Sequence, residues 1–401
     1  MKKFNRSKHW LTALLVCVLL TVSLFAGCKG KKTVPETTAP AETAPAVVTD
    51  IENYTVKDLT VDDPRMDEVV ATCAGFELNN RQFAIYYWMQ FISVMNQYGG
   101  YVNIDLSKPM SEQGSPSEGM SWEQLFVQSA IDQFQSYAAV ASEAKAEGYE
   151  LSQELEDRIT ETLDNIDQQA AARNYASADE YLQASFGPGV TKQDYADYLH
   201  FFYYVMSYET EKYSQMDKSC TDEDIDAFYE AHKQSYVAIV ANTKCIDVRH
   251  ILVMPSDVEG ETEEERLANA KSKAEAIYLE YLEDPTEDHF AELAATHSSD
   301  TGSASNGGLY EKVLEGKMVA PFNDWCFAEE RKPGDTDIVQ TDYGYHVMYF
   351  VGADDYLRMT VREDYLDERL NTWVTELVDA NPVTADYAKI VLGEVNLSQS
   401  N

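Results

Sequence analysis

The stretch Val248-Arg249-His250-Ile251-Leu252-Val253 decides how this chain is read, together with Gly344-Tyr345-His346-Val347-Met348-Tyr349-Phe350 far downstream. Both runs are short and rich in β-branched, aliphatic or aromatic residues, which predicts strands. Period two then places His250 on one face with Val248 and Leu252, and His346 on one face with Met348 and Phe350. A half-buried imidazole needs a hydrogen-bond partner, and another such ring or a hydroxyl supplies it. Between the runs lies a Gly/Ser turn holding an acid, Ser298-Ser299-Asp300-Thr301-Gly302-Ser303-Ala304, and then Gly307-Gly308. Taken singly, each histidine reads equally as a satisfied core residue.

Around these runs the chain is long and acidic. Its 401 residues suffice for two or three domains, and 44% hydrophobic content supports real cores. A formal net charge of -38 argues against nucleic acid and against electrostatic adhesion to anionic lipid. It is read as a solvated, self-repelling surface, or as one that favours basic client segments. The N-terminus has the form of an export signal. Lys2, Lys3, Arg6 and Lys8 precede an almost unbroken apolar stretch from Trp10 to Phe25, which ends at Leu24-Phe25-Ala26-Gly27-Cys28. Small residues just before a cysteine resemble a bacterial lipobox, although Phe25 stands where an aliphatic residue is usual. Residues 1–27 are therefore expected to be a cleaved lipoprotein signal, with Cys28 as the lipidated first residue on the extracytoplasmic face of the cell membrane.

Residues 28–50, a Thr/Pro/Ala/Glu mixture after a basic start, are expected to be a flexible tether. Residues 51–245 read as a mostly helical domain. It opens with a strand, turn and strand over Val69–Asn79, followed by an aromatic helix carrying Phe83, Tyr86, Tyr87, Trp88 and Phe91. From Trp122 to Gln234 the pattern is helical almost throughout, with a capping box at Ser177/Glu180 and further starts at Thr191 and Thr221. The stripe Tyr195-Tyr198-Leu199-Phe202-Tyr203-Met206 has helical spacing and is read as core or as a greasy surface for unfolded segments. Strands and helices alternate over 246–352. In 353–401 a last helix, about Met359 to Ala380, ends before Asn381-Pro382 and is expected to dock on the N-terminal domain.

The ordered set of V-R-H-I-L-V, Phe290-Ala291-Glu292-Leu293-Ala294, the Ser298–Ala304 turn, Gly307-Gly308, Met318-x-x-x-Phe322 and Thr341-Asp342-Tyr343-Gly344-Tyr345-His346 resembles the parvulin family of peptidyl-prolyl isomerases. The whole chain looks like a PrsA-type or SurA-related exported foldase. The resemblance implies an α+β fold: a parvulin-like domain, with a small antiparallel sheet and surrounding helices, inserted between a helical chaperone-like segment and a C-terminal helix. It implies that His250 and His346 are the central histidines, with Asp300 as the third catalytic residue. Met318 and Phe322 then form the apolar proline pocket, Thr341 supplies the hydroxyl beside the second histidine, and Tyr343 is the aromatic of the closing motif. Where the family carries Gly-Gly-Asp-Leu-Gly, this chain reads Gly307-Gly308-Leu309-Tyr310-Glu311.

These residue types suit the reaction that the family performs. Rotation about an X-Pro bond meets a barrier of about 18–20 kcal/mol because twisting breaks amide resonance. No covalent bond is made or broken, so neither nucleophile, cofactor nor metal is required. A pocket that grips the ring and desolvates the carbonyl favours the less charge-separated twisted state, and Met318 and Phe322, one helical turn apart, are suited to that grip. Asp300 has an alternative reading as a brace for its turn, and Met318 and Phe322 as plain core. Cys245 with His250 lacks a third ligand at metal spacing, and Cys326 with His346 lacks any protease motif. Cys73, Cys220, Cys245 and Cys326 show no spacing that selects a disulfide.

The function expected is that of a membrane-anchored isomerase acting on X-Pro bonds of unfolded exported proteins. The alternative is a holding chaperone whose parvulin-like domain is catalytically silent. A solute-binding lipoprotein, a third reading, predicts two similar α/β lobes, against the helical pattern of 122–234. A homodimer through the aromatic N-terminal helices is an assembly the pattern allows.

Overall fold

A computed structural model of the chain describes residues 54–98, 102, 104–117 and 119–395. The signal, the tether and Cys28 lie outside the described residues. In chain order the elements are β1 (Thr55–Val56), β2 (Val69–Cys73), β3 (Phe76–Asn79), α1 (Asn80–Tyr98), α2 (Trp122–Ala146), α3 (Gln153–Ala172), α4 (Ala178–Phe186), α5 (Lys192–Ser219) and α6 (Asp222–His232). Then follow β4 (Lys244–Val253), α7 (Glu263–Tyr281), α8 (Glu287–His297), β5 (Leu309–Leu314), α9 (Ala320–Cys326), β6 (Thr336–Thr341) and β7 (Gly344–Asp355). The chain closes with α10 (Tyr356–Ala380), β8 (Thr384–Ala385) and β9 (Leu392–Gly393). Among the described residues no helix is long and apolar enough to cross a membrane.

The chain divides into two compact units: 54–213 with 370–395, and 214–369. In the first, β2 pairs antiparallel with both β3 and β8, and β1 pairs parallel with β9. Strand, turn and strand over Val69–Asn79 form as the sequence predicts, with Ala74 and Gly75 at positive φ in the turn. Helix starts follow their caps: Ser121 with Gln124 makes a reciprocal box at α2, while at α4 Ser177 receives the Glu180 amide. The Glu180 carboxylate there accepts from the Ala176 amide at 2.5 Å instead of closing the box on Ser177. The aromatic stripe of α5 is packing: Tyr198, Leu199, Tyr203 and Met206 are buried, and Tyr198 meets Tyr86 edge-on at 5.2 Å.

In the second unit a four-stranded antiparallel sheet has the order β5-β4-β7-β6. Helices α7 and α8 cover one face. Ala270, Ala274, Ile277 and Tyr281 recur at three- and four-residue spacing along α7, and they pack with Phe290 and Leu293 of α8 on Ile251, Val253 and Val347. The short α9 covers the other face, where Phe322, Trp325 and Cys326 meet Ile246, Val248, Met348 and Phe350. A third cluster joins α6 to the first half of α10 through Ile225, Tyr236 and Val361. The observed class is α+β with a small antiparallel sheet, as expected, although β4 begins two residues before the expected strand start and α10 begins at Tyr356 rather than Met359.

Candidate active site

The two decisive runs are neighbouring strands. In the β4–β7 register His250 stands opposite Met348, and His346 opposite Leu252. Alternation therefore puts both imidazoles on the α9 face, one diagonal step apart. Their Nδ1 atoms lie 3.0 Å apart, both rings are all but fully buried, and the planes are tilted by only 27°. Phe322, from α9, stands edge-on to both, with ring centroids 5.3 Å from His250 and 5.5 Å from His346.

A polar chain runs through this apolar setting. Asp300 Oδ2 lies 2.9 Å from His250 Nε2, and Thr341 Oγ1 lies 2.8 Å from His346 Nε2. The Tyr343 amide donates to Thr341 Oγ1 at 3.1 Å, so that hydroxyl keeps its own proton for His346. With both rings neutral, one arrangement satisfies every contact. Thr341 donates to His346 Nε2, His346 Nδ1–H donates to His250 Nδ1, and His250 Nε2–H donates to Asp300. Burial, and then the nearby His250 ring, push His346 down to about 3, so it is neutral across the physiological range. The bond from His250, aided by the Ser303 and Tyr310 hydroxyls, holds the Asp300 carboxyl well below the usual carboxylate range against the opposing effect of burial.

Two members of this chain were not singled out from the sequence. Ser303 is fully buried, donates to Asp300 Oδ2 at 2.5 Å and lies 3.2 Å from His250 Nε2. Tyr310 donates to the same Oδ2 at 2.8 Å and stacks on His250 at 5.2 Å. The three-residue step from Asp300 to Ser303 was the available signal for the first. For Tyr310 there was none, because only the sheet brings β5 over His250.

The turn that carries Asp300 is anchored from the opposite face of the sheet. Arg249 is fully buried; its Nε donates to Glu287 Oε1 at 3.0 Å, and Nη1 to the Asn306 and Gly307 carbonyls at 3.1 and 3.0 Å. The His250 amide donates to the Gly308 carbonyl at 2.8 Å. Gly308 has φ +71, and a Cβ there would collide with the His250 carbonyl oxygen, so only glycine permits this approach.

The remaining expected residues are placed less uniformly. Met318 is partly buried against the Phe322 cluster, but it does not share a helix with Phe322. Pro321 falls in the first turn of α9 and fixes the helix start at Ala320, leaving Met318 in the bend that precedes it. Tyr343 is 60% exposed in the β6–β7 turn, and its backbone amide rather than its ring engages the chain of bonds. Cys326 is buried, and that burial pushes its thiol up to about 12, the reverse of an activated nucleophile. Among the described residues no group of three or more His, Cys, Asp or Glu is placed to hold a metal ion.

Residues 233–352 match the family model of the PPIC-type PPIASE domain. This segment is a parvulin-type domain. The chain that carries it is related to SurA and PrsA. Chaperone SurA of Pseudomonas syringae is 35% identical over 33% of this chain and 31% of its own length. Foldase protein PrsA of Caldanaerobacter subterraneus is 27% identical over 53% of this chain and 62% of its own. The chain thus spans about a third of the SurA relatives it matches and somewhat under two thirds of the PrsA relatives. The crystal structure of PrsA from Bacillus subtilis aligns with a TM-score of 0.33 at 22% identity, over 68% of this chain and 91% of that one. The matched residues contain the parvulin-type sheet, both histidines, Asp300, Met318, Phe322 and Thr341.

Proposed function

We propose that this chain is a peptidyl-prolyl cis-trans isomerase that acts on X-Pro bonds of unfolded exported proteins. The observation that carries this reading is the pair of buried imidazoles, 3.0 Å apart, beside Phe322 on a parvulin-type sheet. His250, His346 and Asp300 form the catalytic chain; Met318 and Phe322 seat the pyrrolidine, Thr341 fixes the second ring, and Tyr343 meets the client at the rim. A planar amide carries charge separation that the twisted amide has lost, so an apolar seat with neutral polar groups favours the twisted form. Transition-state stabilisation of this kind involves no covalent step.

A protease-coupled assay on the full chain, with peptides differing in the residue before proline, tests the reading. The expected result is a proline-dependent rate that falls at least about tenfold in His250→Ala and in Met318→Ala, as losses of positioned groups commonly do. Suppression of client aggregation with no proline-dependent rate would overturn the reading in favour of a holding chaperone.

The anchor belongs to the same proposal. Lipidation of Cys28 would hold the chain at the extracytoplasmic face, where SurA- and PrsA-named relatives suggest its clients emerge. Cys28→Ser is expected to move the protein from the membrane fraction to the soluble one. The pairing of β8 with β2 and of β9 with β1 supports reading the parvulin-type domain as an insertion within the first unit.

A further inference from the structure

Asp300 Oδ2 receives three donors: His250 Nε2 at 2.9 Å, Tyr310 Oη at 2.8 Å and Ser303 Oγ at 2.5 Å. Its other oxygen accepts the Gly302 amide at 3.3 Å. The Tyr310 ring lies over His250, 19° from parallel, so one side chain both covers the imidazole and binds its carboxylate. Tyr310 stands in the stretch Gly307-Gly308-Leu309-Tyr310-Glu311, where this chain departs from the family's Gly-Gly-Asp-Leu-Gly and a leucine at that place would bring no hydroxyl.

We propose that Tyr310 is a positioning residue that acts through Asp300: by sharing its charge with Ser303, it keeps the carboxylate from drawing a second proton onto His250. The physical argument is one of division. A carboxylate oxygen with three donors offers each of them less charge than an oxygen with two, and a hydrogen bond to a charged acceptor responds strongly to that share. A doubly protonated His250 would place a positive charge beside the client carbonyl and favour the planar, charge-separated amide over the twisted one. The groups that face His250 are Asp300 from the turn, Tyr310 from β5, His346 from β7, and the uncharged Ser303 and Phe322. Arg249, next in sequence, is held on the other side of the sheet by Glu287. Burial and the Asp300 bond hold the Tyr310 phenol up at about 12, so it remains a donor throughout the working range.

The inference rests on the isomerase reading for its consequence but not for its test. Tyr310→Phe keeps the ring and removes the hydroxyl. In the full chain with 15N-labelled histidine, the His250 Nε2–H proton resonance is expected to move downfield in Tyr310→Phe as the bond to Asp300 strengthens. In an Asp300→Asn background the same change is expected to leave that resonance in place, since the charge to be divided is gone. An unmoved resonance in Tyr310→Phe, or an equal shift in both backgrounds, overturns the proposal. The isomerase rate of Tyr310→Phe is expected to approach that of the parent at pH 8 and to fall several-fold below it at pH 6, chiefly in kcat. A loss that is the same at both pH values marks a merely structural tyrosine and overturns the proposal too. If the parent chain shows no isomerase rate at all, the catalytic reading fails while the resonance still decides the role of Tyr310.

Discussion

The two faces of the β5-β4-β7-β6 sheet are built from the same strands and serve opposite ends. On the α7/α8 face, Ile251, Val253 and Val347 meet Ala270, Ala274, Ile277 and Phe290 in an apolar interior, and the one buried charge, Arg249, is paired with Glu287 and two carbonyls. On the α9 face the alternate residues of the same strands supply His250 and His346 beside Val248, Met348 and Phe350. The first face is closed by two helices of 19 and 11 residues, the second by a helix of 7. Heavy cover gives stability, while light cover is what the proposed isomerase site would need. The polar chain persists on the lighter face because each of its members has a partner, which offsets the desolvation of burying it.

Substitutions can break this contrast, and the largest effect is expected on the heavily covered face. Phe290→Ala empties a fully buried site and should cost about 3–5 kcal/mol, read as a lower urea midpoint. If Phe290→Ala proves as mild as a surface change, the division between a stabilising face and a working face fails. On the other face, Thr341→Val removes the donor to His346 Nε2 and the acceptor of the Tyr343 amide, and should cost about 1–3 kcal/mol. Unlike Phe290→Ala, it should also slow isomerisation of the fully folded protein, measured well below the unfolding transition.

The acid behaviour sharpens the same contrast. His346 is held at about 3, below its ordinary value of 6.5, so the unfolded chain takes up a proton there that the folded chain refuses. Stability is therefore present above 6.5 and is lost as the pH falls toward about 3, by at most about 1.4 kcal/mol per pH unit. Asp300 is also lowered, which for a carboxylate favours the charged form, so it contributes stability above the ordinary carboxylate value and loses it only in stronger acid. Between pH 6.5 and 4 the parent should thus be more acid-sensitive than His346→Gln in thermal unfolding followed by circular dichroism. Equal slopes would refute the neutral, buried ring. The smallest effect is expected at Tyr343, which is 60% exposed. Tyr343→Ala should change stability by no more than about 0.5 kcal/mol, with any effect confined to KM for client peptides.

Much of this was legible because strand alternation is a local property. The faces of His250 and His346 follow from period two alone, and the order of motifs through Thr341 carries the parvulin resemblance. Helix boundaries were less legible where a neighbour decided them: Pro321 moved Met318 off α9, and β7 ran on to Asp355 because it pairs with Lys244. Ser303 lies in the Gly/Ser turn, and only the folding of that turn over β4 gives it a role. Arg249 belongs to the same strand run, and no local pattern shows that it anchors Asn306 and Gly307 on the reverse face.

The sequence alone determined which side chains could share a face, because the two-residue repeat of a strand is set by backbone stereochemistry and requires no partner. It also determined a strongly acidic chain with one histidine in each of two strand-like runs. The tertiary structure decided the register that brings two Nδ1 atoms to 3.0 Å, and the placement of Tyr310 and Ser303 on one oxygen of Asp300. Those outcomes depend on strand pairing and helix cover between residues distant in the chain, and no local pattern encodes a distance.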